Sequence, residues 1–271
     1  MCAGPIAEWE LLERISGQLG RRQLAKWILD EAFSKSSGAD AESLALKMAQ
    51  RYLSGEPIQY IFGHWSFRSL ELGCDARALI PRPETEQLVD LVEAELAINN
   101  WMKRVLEIGT GTGAIALALA SEVHGLHIVA TELSPAALEL ARENMALHKS
   151  RLLSELVMMQ SDLFEAVGGL GAFDMIVSNP PYLPSSTQLE PRVTDYEPHE
   201  ALFGGEDGLS VIRRLIKESP SWLTRRGAEL LLEIDETHGD RVRELAGQHG
   251  FSRAVIHRDL AGRARFAQLV Y

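Results

Sequence analysis

The stretch that decides the fold is RVLEIGTGTG, residues 104–113. Its first half, residues 104–108, is a short apolar run typical of a buried strand, and glycines at 109, 111 and 113 let the backbone turn tightly. A helix is predicted over residues 113–121, so the glycine-rich loop joins the carboxyl end of a strand to the start of a helix. The spacing is neither the G-x-G-x-x-G of dinucleotide folds nor a phosphate-binding loop. The loop alone is also compatible with an ordinary tight turn.

Strands and helices alternate through the rest of the chain. Further strands are predicted at residues 127–131, 155–159, 173–178, 228–234, 253–257 and 265–270, and further helices at residues 135–147, 209–217 and 241–249. This alternation predicts an α/β fold with a mostly parallel sheet and helices on both faces. Ligands of such folds bind beyond the carboxyl ends of the strands.

Acidic residues follow two of these strands. Glu132, about twenty residues after the glycine loop, is placed to bind both hydroxyls of a ribose. Asp162 can face an adenine amino group, and Leu163 can supply a backbone amide or an apolar lid. Taken separately, Glu132 is compatible with a surface acid and Asp162 with a helix cap. Together with the glycine loop and with the NPPY motif that follows the next strand, they predict S-adenosylmethionine, because a sulfonium needs no phosphate-binding loop.

The tetrapeptide Asn179-Pro180-Pro181-Tyr182 follows the strand at residues 173–178. Two prolines cannot donate backbone hydrogen bonds and they restrict the preceding residue, so the strand stops in a rigid turn. The Asn179 carboxamide and the Pro180 carbonyl can accept the two hydrogens of a planar NH2 group, and the Tyr182 ring can pack on its plane. A proline-rich turn is the alternative for these four residues alone.

Composition excludes several classes of protein. A net charge of −11 and a pI near 5.3 argue against a chain that coats nucleic acid. No apolar run approaches the roughly eighteen residues of a membrane span, and the N-terminus has no signal-peptide pattern, so we expect a soluble protein without a targeting segment. Its two cysteines fit a reducing cytosol, so a cytoplasmic protein is expected, with a mitochondrial one as the alternative if a transit peptide has been removed. Cys2, Cys74 and the eight histidines show no metal-binding spacing, so no metal is expected.

Two domains are predicted. Before residue 55, apolar residues at helical spacing indicate short helices, and residues 59–75 have the mixed aromatic, β-branched and polar pattern of a hairpin. Residues 1–76 are therefore assigned to a helical domain with a hairpin linker, and residues 77–271 to a catalytic domain. Between them, IPRPETE at residues 80–86 places Pro83 in the first turn of a helix, and on spacing alone it is a capped helix start.

These motifs together resemble class I methyltransferases that act on exocyclic or amide nitrogen. Five further motifs are similar to the PrmC/HemK family, the glutamine N5-methyltransferases of peptide-chain release factors: GEPIQYI at 55–61, IPRPETE at 80–86, YEP at 196–198, GGEDG at 204–208 and RDLAGR at 258–263. The resemblance covers nearly the whole chain. Two positions depart from it, since Glu132 stands where the family usually has Asp and Asp235 replaces a usual glycine.

The resemblance implies a Rossmann-like fold with an antiparallel last strand and a helical domain that helps to dock a release factor. It implies methyl transfer from S-adenosylmethionine to the glutamine of the Gly-Gly-Gln motif of class I release factors, with S-adenosylhomocysteine as product. The expected cofactor-binding residues are Glu107, Gly109, Thr110, Gly111, Thr112, Gly113, Glu132, Leu133, Asp162, Leu163 and Asn179. The expected substrate-binding residues are Arg82, Glu84, Asn179, Pro180, Pro181 and Tyr182, of which Asn179, Pro180 and Tyr182 are expected to be catalytic. A monomer that binds neither nucleic acid directly nor membrane is expected.

Two other functions fit parts of the pattern. An adenine-N6 methyltransferase acting on DNA or RNA makes the same demands on the NPPY motif. Such an enzyme must also hold phosphates, and the chain has no evident basic recognition segment. A non-catalytic binding module would keep the fold without its chemistry, and the intact glycine loop and NPPY motif argue against it.

Overall fold

The computed structural model describes residues 8–224 and 227–271 of the chain. They divide into two compact units, one formed by the residues up to Gly63 with Glu190–Tyr196, the other by His64–Leu189 with Glu197–Tyr271. In this division the hairpin, predicted as a linker within residues 1–76, belongs to the second unit. Cys2 lies outside the described residues. No helix within them combines the length and apolarity needed to cross a membrane.

The first unit is helical. Its helices are α1 (Glu8–Leu19), α2 (Arg22–Lys35), α3 (Gly38–Leu53) and the short α4 (Ile58–Phe62). The prediction of extended structure at residues 59–62 was wrong, because Gly63 adopts a left-handed conformation with φ of 80° and closes a helical turn there. From residues 190–196, Arg192 stacks its guanidinium 3.7 Å from the centroid of the Tyr52 ring and donates to the Glu56 carbonyl.

The second unit contains one large sheet and a separate hairpin of β1 (His64–Phe67) and β2 (Leu70–Gly73). The remaining helices along the chain are α5 (Pro83–Ile98), α6 (Ala114–Glu122), α7 (Pro135–His148), α8 (Pro191–Thr194, in the first unit), α9 (Ser210–Glu218) and α10 (Gly239–Gln248). The strands of the sheet are β3 (Arg104–Ile108), β4 (His127–Glu132), β5 (Glu155–Gln160), β6 (Met175–Ser178), β7 (Glu229–Glu233), β8 (Arg253–Arg258) and β9 (Ala264–Val270). Short 3-10 turns lie at Lys149–Arg151, Glu165–Val167, His199–Ala201 and Ser219–Ser221.

The strand order of the sheet is β5-β4-β3-β6-β7-β9-β8. The first five strands in this order are parallel, and β9 runs antiparallel to both β7 and β8. The predicted mostly parallel sheet with an antiparallel last strand is confirmed. Because the order reverses between β3 and β6, the crevice at their carboxyl ends is where this topology places a ligand.

Helices cover both faces of the sheet, and the strands show why. Along β6, Met175 and Val177 belong to one hydrophobic cluster while Ile176 belongs to another, and on β7 Leu231 and Leu230 divide in the same way. Successive side chains of a strand point to opposite faces, so the sheet has two apolar faces to bury. The continuous apolar runs of these strands follow from burial on both sides.

Candidate active site

A cavity opens at the carboxyl ends of β3 to β6. Ten of the eleven predicted cofactor-binding residues line it: Glu107, Gly109, Thr110, Gly111, Thr112, Glu132, Leu133, Asp162, Leu163 and Asn179. Of the predicted substrate-binding residues, Arg82, Pro180 and Pro181 line it with Asn179. Gly113, Glu84 and Tyr182 are not among the lining residues. Segments far apart in the chain thus meet at one edge of the sheet, as the strand-end pattern predicts.

The glycine loop is shaped by left-handed backbone. Gly109, Gly111 and Gly113 have φ of 75°, 56° and 85°, a region that side chains with a Cβ rarely adopt. The Gly109 amide donates to the Thr131 carbonyl at 2.8 Å, which holds the loop against β4. Gly113 has a packing role as well, because a Cβ there would lie 3.0 Å from Leu117 Cδ1. The loop is therefore a preformed turn whose backbone faces the cavity.

Glu132 is oriented by two backbone amides. Its Oε2 accepts from the Gly111 amide at 2.8 Å, and its Oε1 accepts from the Ser134 amide at 3.0 Å. A carboxylate has about four acceptor positions, so each oxygen can still accept a ligand hydroxyl. The longer Glu side chain that departs from the usual Asp is thus tied to the glycine loop.

Glu107 is a buried carboxyl that lines the cavity. Its Oε2 accepts from the Thr110 hydroxyl at 2.7 Å and from the Ala116 amide at 3.0 Å. Burial raises the pKa of Glu107 to about 7, the two hydrogen bonds oppose the rise, and the nearby Glu132 charge adds to it. A cationic ligand beside this carboxyl would favour its charged form.

Three arginines line the cavity within the described part of the chain, and each already pairs with a carboxylate of the protein. The Nη1 of Arg214 donates to Asp162 Oδ1 at 2.9 Å, and the Nη2 of Arg82 donates to Glu197 Oε1 at 2.6 Å. Arg77 pairs with two carboxylates, Asp75 and Glu143. The charge of each of these lining guanidinium groups is therefore balanced by a carboxylate of the protein. Carboxylates and apolar groups remain to contact a ligand in the cavity.

The Asn179 carboxamide belongs to a buried hydrogen-bond chain. Its Nδ2 donates to Thr85 Oγ1 at 3.0 Å, and Thr85 Oγ1 donates to Glu233 Oε2 at 2.8 Å. The Tyr182 hydroxyl donates to the other carboxylate oxygen, Glu233 Oε1, at 3.0 Å. Burial raises the pKa of Glu233, opposed by these two hydrogen bonds, and burial with the Glu233 charge raises the pKa of Tyr182.

The backbone of the NPPY motif is held by a second glycine-rich loop. A Cβ on Gly204 would lie 2.4 Å from the Pro181 carbonyl oxygen, and one on Gly208 would lie 2.2 Å from the Tyr182 carbonyl oxygen. Only glycine permits backbones to approach this closely. The GGEDG motif therefore packs directly against the NPPY motif.

Glu197, from the YEP motif, holds the other predicted substrate-binding segment. Its Oε2 accepts from the Ile80 amide at 3.1 Å, while its Oε1 binds Arg82. Glu84 pairs instead with Arg263 at 3.0 Å, which joins the IPRPETE and RDLAGR motifs. Both charged side chains predicted to bind substrate thus have partners within the protein.

Sequence reasoning missed Thr85 and Glu233. Thr85 lies inside the quoted IPRPETE motif, and Glu233 ends the strand that follows the NPPY motif, as Glu132 ends β4. The available signal was that β7, like β4, ends on a glutamate. Asp235, which stands where the family usually has glycine, accepts from the Thr237 amide at 2.9 Å and stabilises a turn.

The donor set fits S-adenosylmethionine. Glu107 and Glu132 supply negative charge and hydroxyl acceptors, Ile108 and Leu163 supply apolar walls, and the paired arginines leave no preference for phosphate. Among residues 8–224 and 227–271, no group of three or more His, Cys, Asp or Glu side chains is arranged to hold a metal ion.

Comparisons with known proteins agree with this geometry. A family model described as "Methyltransferase small domain" matches residues 85–195. The release factor glutamine methyltransferase of Deinococcus radiodurans is 41% identical over 233 residues, covering 85% of this chain and 80% of that protein. The protein of the same name from Mycolicibacterium smegmatis is 39% identical over 211 residues, covering 78% and 73%. The crystal structure of a methyltransferase from Pyrococcus furiosus superposes with a TM-score of 0.53 at 20% identity, covering 83% and 97%.

The fold and the cavity define a class I S-adenosylmethionine-dependent methyltransferase. At this level of identity and coverage, the chain belongs to the release factor glutamine methyltransferase family. The resemblance predicted from the sequence is confirmed. The relatives do not favour the adenine-N6 alternative, and their names describe enzymes rather than binding modules.

Proposed function

We propose that this protein transfers a methyl group from S-adenosylmethionine to the side-chain N5 atom of the glutamine in the Gly-Gly-Gln motif of class I peptide-chain release factors. The observation that carries the proposal is the Asn179 carboxamide, whose nitrogen is bound to Thr85 and whose oxygen is left to accept from a ligand in an acidic cavity. The names of the relatives support a release factor as the substrate. Because that substrate is a translation factor, we place the activity in the cytoplasm.

The cofactor would be held by the strand-end residues. Glu132 would accept from the ribose hydroxyls, and Asp162 with Leu163 would bind the adenine. Glu107 and the glycine loop would receive the cationic amino-acid end, with S-adenosylhomocysteine remaining as product. When bound, S-adenosylmethionine supplies a methyl group made electrophilic by the positive charge of its sulfonium. No metal is required in this scheme.

The catalytic contribution of the chain is to hold and stabilise the amide nitrogen of the substrate. That nitrogen is a poor nucleophile because its lone pair is delocalised into the carbonyl group. Asn179 Oδ1 and the Pro180 carbonyl would accept its two N–H bonds and fix its orientation. As positive charge develops on the nitrogen, both acceptors bind it more strongly, so they favour the transition state. Pro181 and Tyr182 would flank the amide plane, and the proton would leave to water.

Recognition of the rest of the release factor is proposed for other parts of the chain. The helical N-terminal domain would help to dock the release factor. Arg82 and Glu84, in the IPRPETE segment, would also bind the release factor. We propose a monomer that binds neither nucleic acid directly nor a membrane. The paired state of the arginines that line the cavity supports the absence of a phosphate-binding role.

The direct experiment measures transfer of labelled methyl from S-adenosylmethionine to three substrates: a class I release factor, its Gly-Gly-Gln variant with Gln changed to Ala, and duplex DNA. Label on the intact release factor alone is expected. Asn179→Ala should lower turnover by about 10²-fold, the order of magnitude for losing one preorganised polar group. The exposed Asn100→Ala is a matched control that should retain wild-type turnover. Label on DNA, or equal label on the Gln→Ala substrate, would overturn the proposed function.

A further inference from the structure

Strand register brings Glu233 next to Asn179, and helix α5 brings Thr85. In the parallel pair β6–β7, Ser178 lies opposite Leu232, so the next residues, Asn179 and Glu233, emerge side by side at the carboxyl edge. Thr85 reaches them from the first turn of α5. Thr85 is 5% exposed and Glu233 is 1% exposed, so bulk water does not compete for their hydrogen bonds.

The hydrogens in this cluster can be assigned from its chemistry. An ionised carboxylate only accepts, so Thr85 and Tyr182 must each donate their single hydroxyl hydrogen to Glu233. The Thr85 oxygen then has no hydrogen left for Asn179 and can only accept from it. The Asn179 nitrogen must face Thr85, because the reversed carboxamide would set two acceptor oxygens against each other.

We propose that Glu233 is a positioning residue which, through Thr85, locks the Asn179 carboxamide with its oxygen directed to the substrate. This inference deepens the proposed function and rests on it for its catalytic consequence. A reversed carboxamide would offer the substrate NH2 group a donor instead of an acceptor. The lock therefore selects a substrate nitrogen that carries hydrogens and keeps the acceptor in place before the substrate arrives.

The lock depends on the charge of Glu233. Arg265, whose guanidinium lies 5.8 Å from the centroid of the Tyr182 ring, favours the charged form of Glu233, and the Glu84 charge disfavours it. Burial raises the pKa of Glu233, and the hydrogen bonds from Thr85 and Tyr182 lower it. A protonated Glu233 can donate to Thr85, which frees the Thr85 hydrogen to turn towards Asn179. The lock is therefore released as the pH falls through the pKa of Glu233.

The kinetic test uses matched substitutions in the full-length protein. Thr85→Val keeps the shape and removes the hydroxyl, and Thr85→Ser keeps the hydroxyl. Glu233→Gln keeps the shape, but its amide can donate to Thr85 as well as accept from it, so the direction of the Thr85 hydrogen is no longer fixed. With the release factor as substrate, the Val and Gln variants should lose about tenfold or more in kcat, the scale of one misplaced hydrogen bond. Thr85→Ser should stay within about threefold of wild type, and S-adenosylmethionine affinity by calorimetry should change by less than about threefold in all three.

The double variant Thr85→Val/Glu233→Gln tests whether the effects of Thr85 and Glu233 on kcat are coupled. If Glu233 acts through Thr85, the double variant should be no slower than the slower single variant, since residues acting as one unit are not additive. If the loss in kcat of the double variant equals the product of the two single losses, the residues act independently, and the inference that Glu233 acts through Thr85 is wrong. Wild-type kcat in both single variants would overturn it as well. Should Glu233→Gln fail to fold, the contrast between Thr85→Val and Thr85→Ser decides alone.

A second measurement does not depend on activity. The chain has four asparagines, 99, 100, 144 and 179, so selective ¹⁵N labelling of asparagine gives a side-chain amide spectrum that can be assigned by substitution. The Asn179 amide signals should move with pH in the wild type, stay constant in Glu233→Gln, and shift in Thr85→Val but not in Thr85→Ser. Asn179 signals that are the same in all variants at every pH would refute the inference. If the wild type methylates no release factor, the proposed function fails, and these spectra still test the lock.

Discussion

Glu107 gives the sharpest quantitative prediction, because it is fully buried and has one dominant influence on its charge. Burial raises its pKa from the usual 4.5 to about 7. A carboxyl with a raised pKa binds its proton more tightly in the folded state. Its contribution to stability is therefore complete below about pH 4.5 and is lost as the pH rises through about 7. The difference between the two pKa values corresponds to about 3 kcal/mol.

The perturbation is Glu107→Gln. A glutamine Oε1 can accept from Thr110 and Ala116 as the carboxylate does, but the side chain carries no charge at any pH. Relative to the wild type, the ligand-free variant should therefore gain about 3 kcal/mol of unfolding free energy between about pH 4.5 and pH 8.5. Urea unfolding followed by circular dichroism at each pH measures the difference. The exposed Glu139→Gln, which also removes one negative charge, is the control and should run parallel to the wild type.

A constant stability difference between Glu107→Gln and the wild type across this pH range would refute the reasoning from burial. The same carboxyl also predicts a ligand effect. Binding of the cationic cofactor should favour the charged form, so the wild type should release protons on binding S-adenosylmethionine below about pH 7. Calorimetry in two buffers of different ionisation enthalpy detects those protons, and Glu107→Gln should release fewer.

Three further predictions follow from other parts of the site. Gly208→Ala should destabilise the protein by more than about 2 kcal/mol in thermal unfolding, because its Cβ would overlap the Tyr182 backbone. The control Gly262→Ala has a similar positive φ of 82° but open space around it, so it should cost only about 1–2 kcal/mol. Equal losses in the two variants would contradict the close-packing argument. Glu132→Ala should weaken S-adenosylmethionine binding by about tenfold in calorimetry through loss of two hydroxyl acceptors, and an unchanged affinity would remove Glu132 from the ribose site. Glu197→Ala should lower the free energy of unfolding by about 1–3 kcal/mol, because it leaves the Ile80 amide and the partly exposed Arg82 without their acceptor; denaturant melts that overlay those of the wild type would contradict this.

The parts of the fold that follow local rules were predictable from the sequence. Apolar strands alternating with helices specify a parallel sheet, and a ligand site at the strand ends follows from topology. Residues 59–62 were misread because aromatic and β-branched residues favour strands, while the helical turn there depends on Pro57 before it and on Gly63 after it. The conformation of these residues is therefore determined by the residues that flank them and not by their own strand propensity.

The pairing of polar groups across the site was not predictable, because it depends on contacts between distant segments. Asp162 was predicted from its strand end, but its ion pair with Arg214 spans the chain from β5 to α9. Tyr182 was expected at the substrate plane, and nothing in the NPPY motif indicates that its hydroxyl reaches Glu233 on the neighbouring strand. The register of β6 and β7 brings Tyr182 to Glu233, and the packing of α9 brings Arg214 to Asp162. A single sequence specifies neither.

The short segment 190–196 has a consequence for any attempt to separate the two units. These residues follow the NPPY motif closely in sequence but belong to the first unit, and the chain re-enters the catalytic unit at Glu197. Within the first unit, Arg192 packs on the Tyr52 ring and the Tyr196 hydroxyl donates to the Ser54 carbonyl. A chain cut after Gly63 would separate this segment from its partners Tyr52 and Ser54. The first unit is therefore built from two separate parts of the chain, and a fragment that begins at His64 would keep residues 190–196 without the Tyr52 ring and the Ser54 carbonyl that they contact.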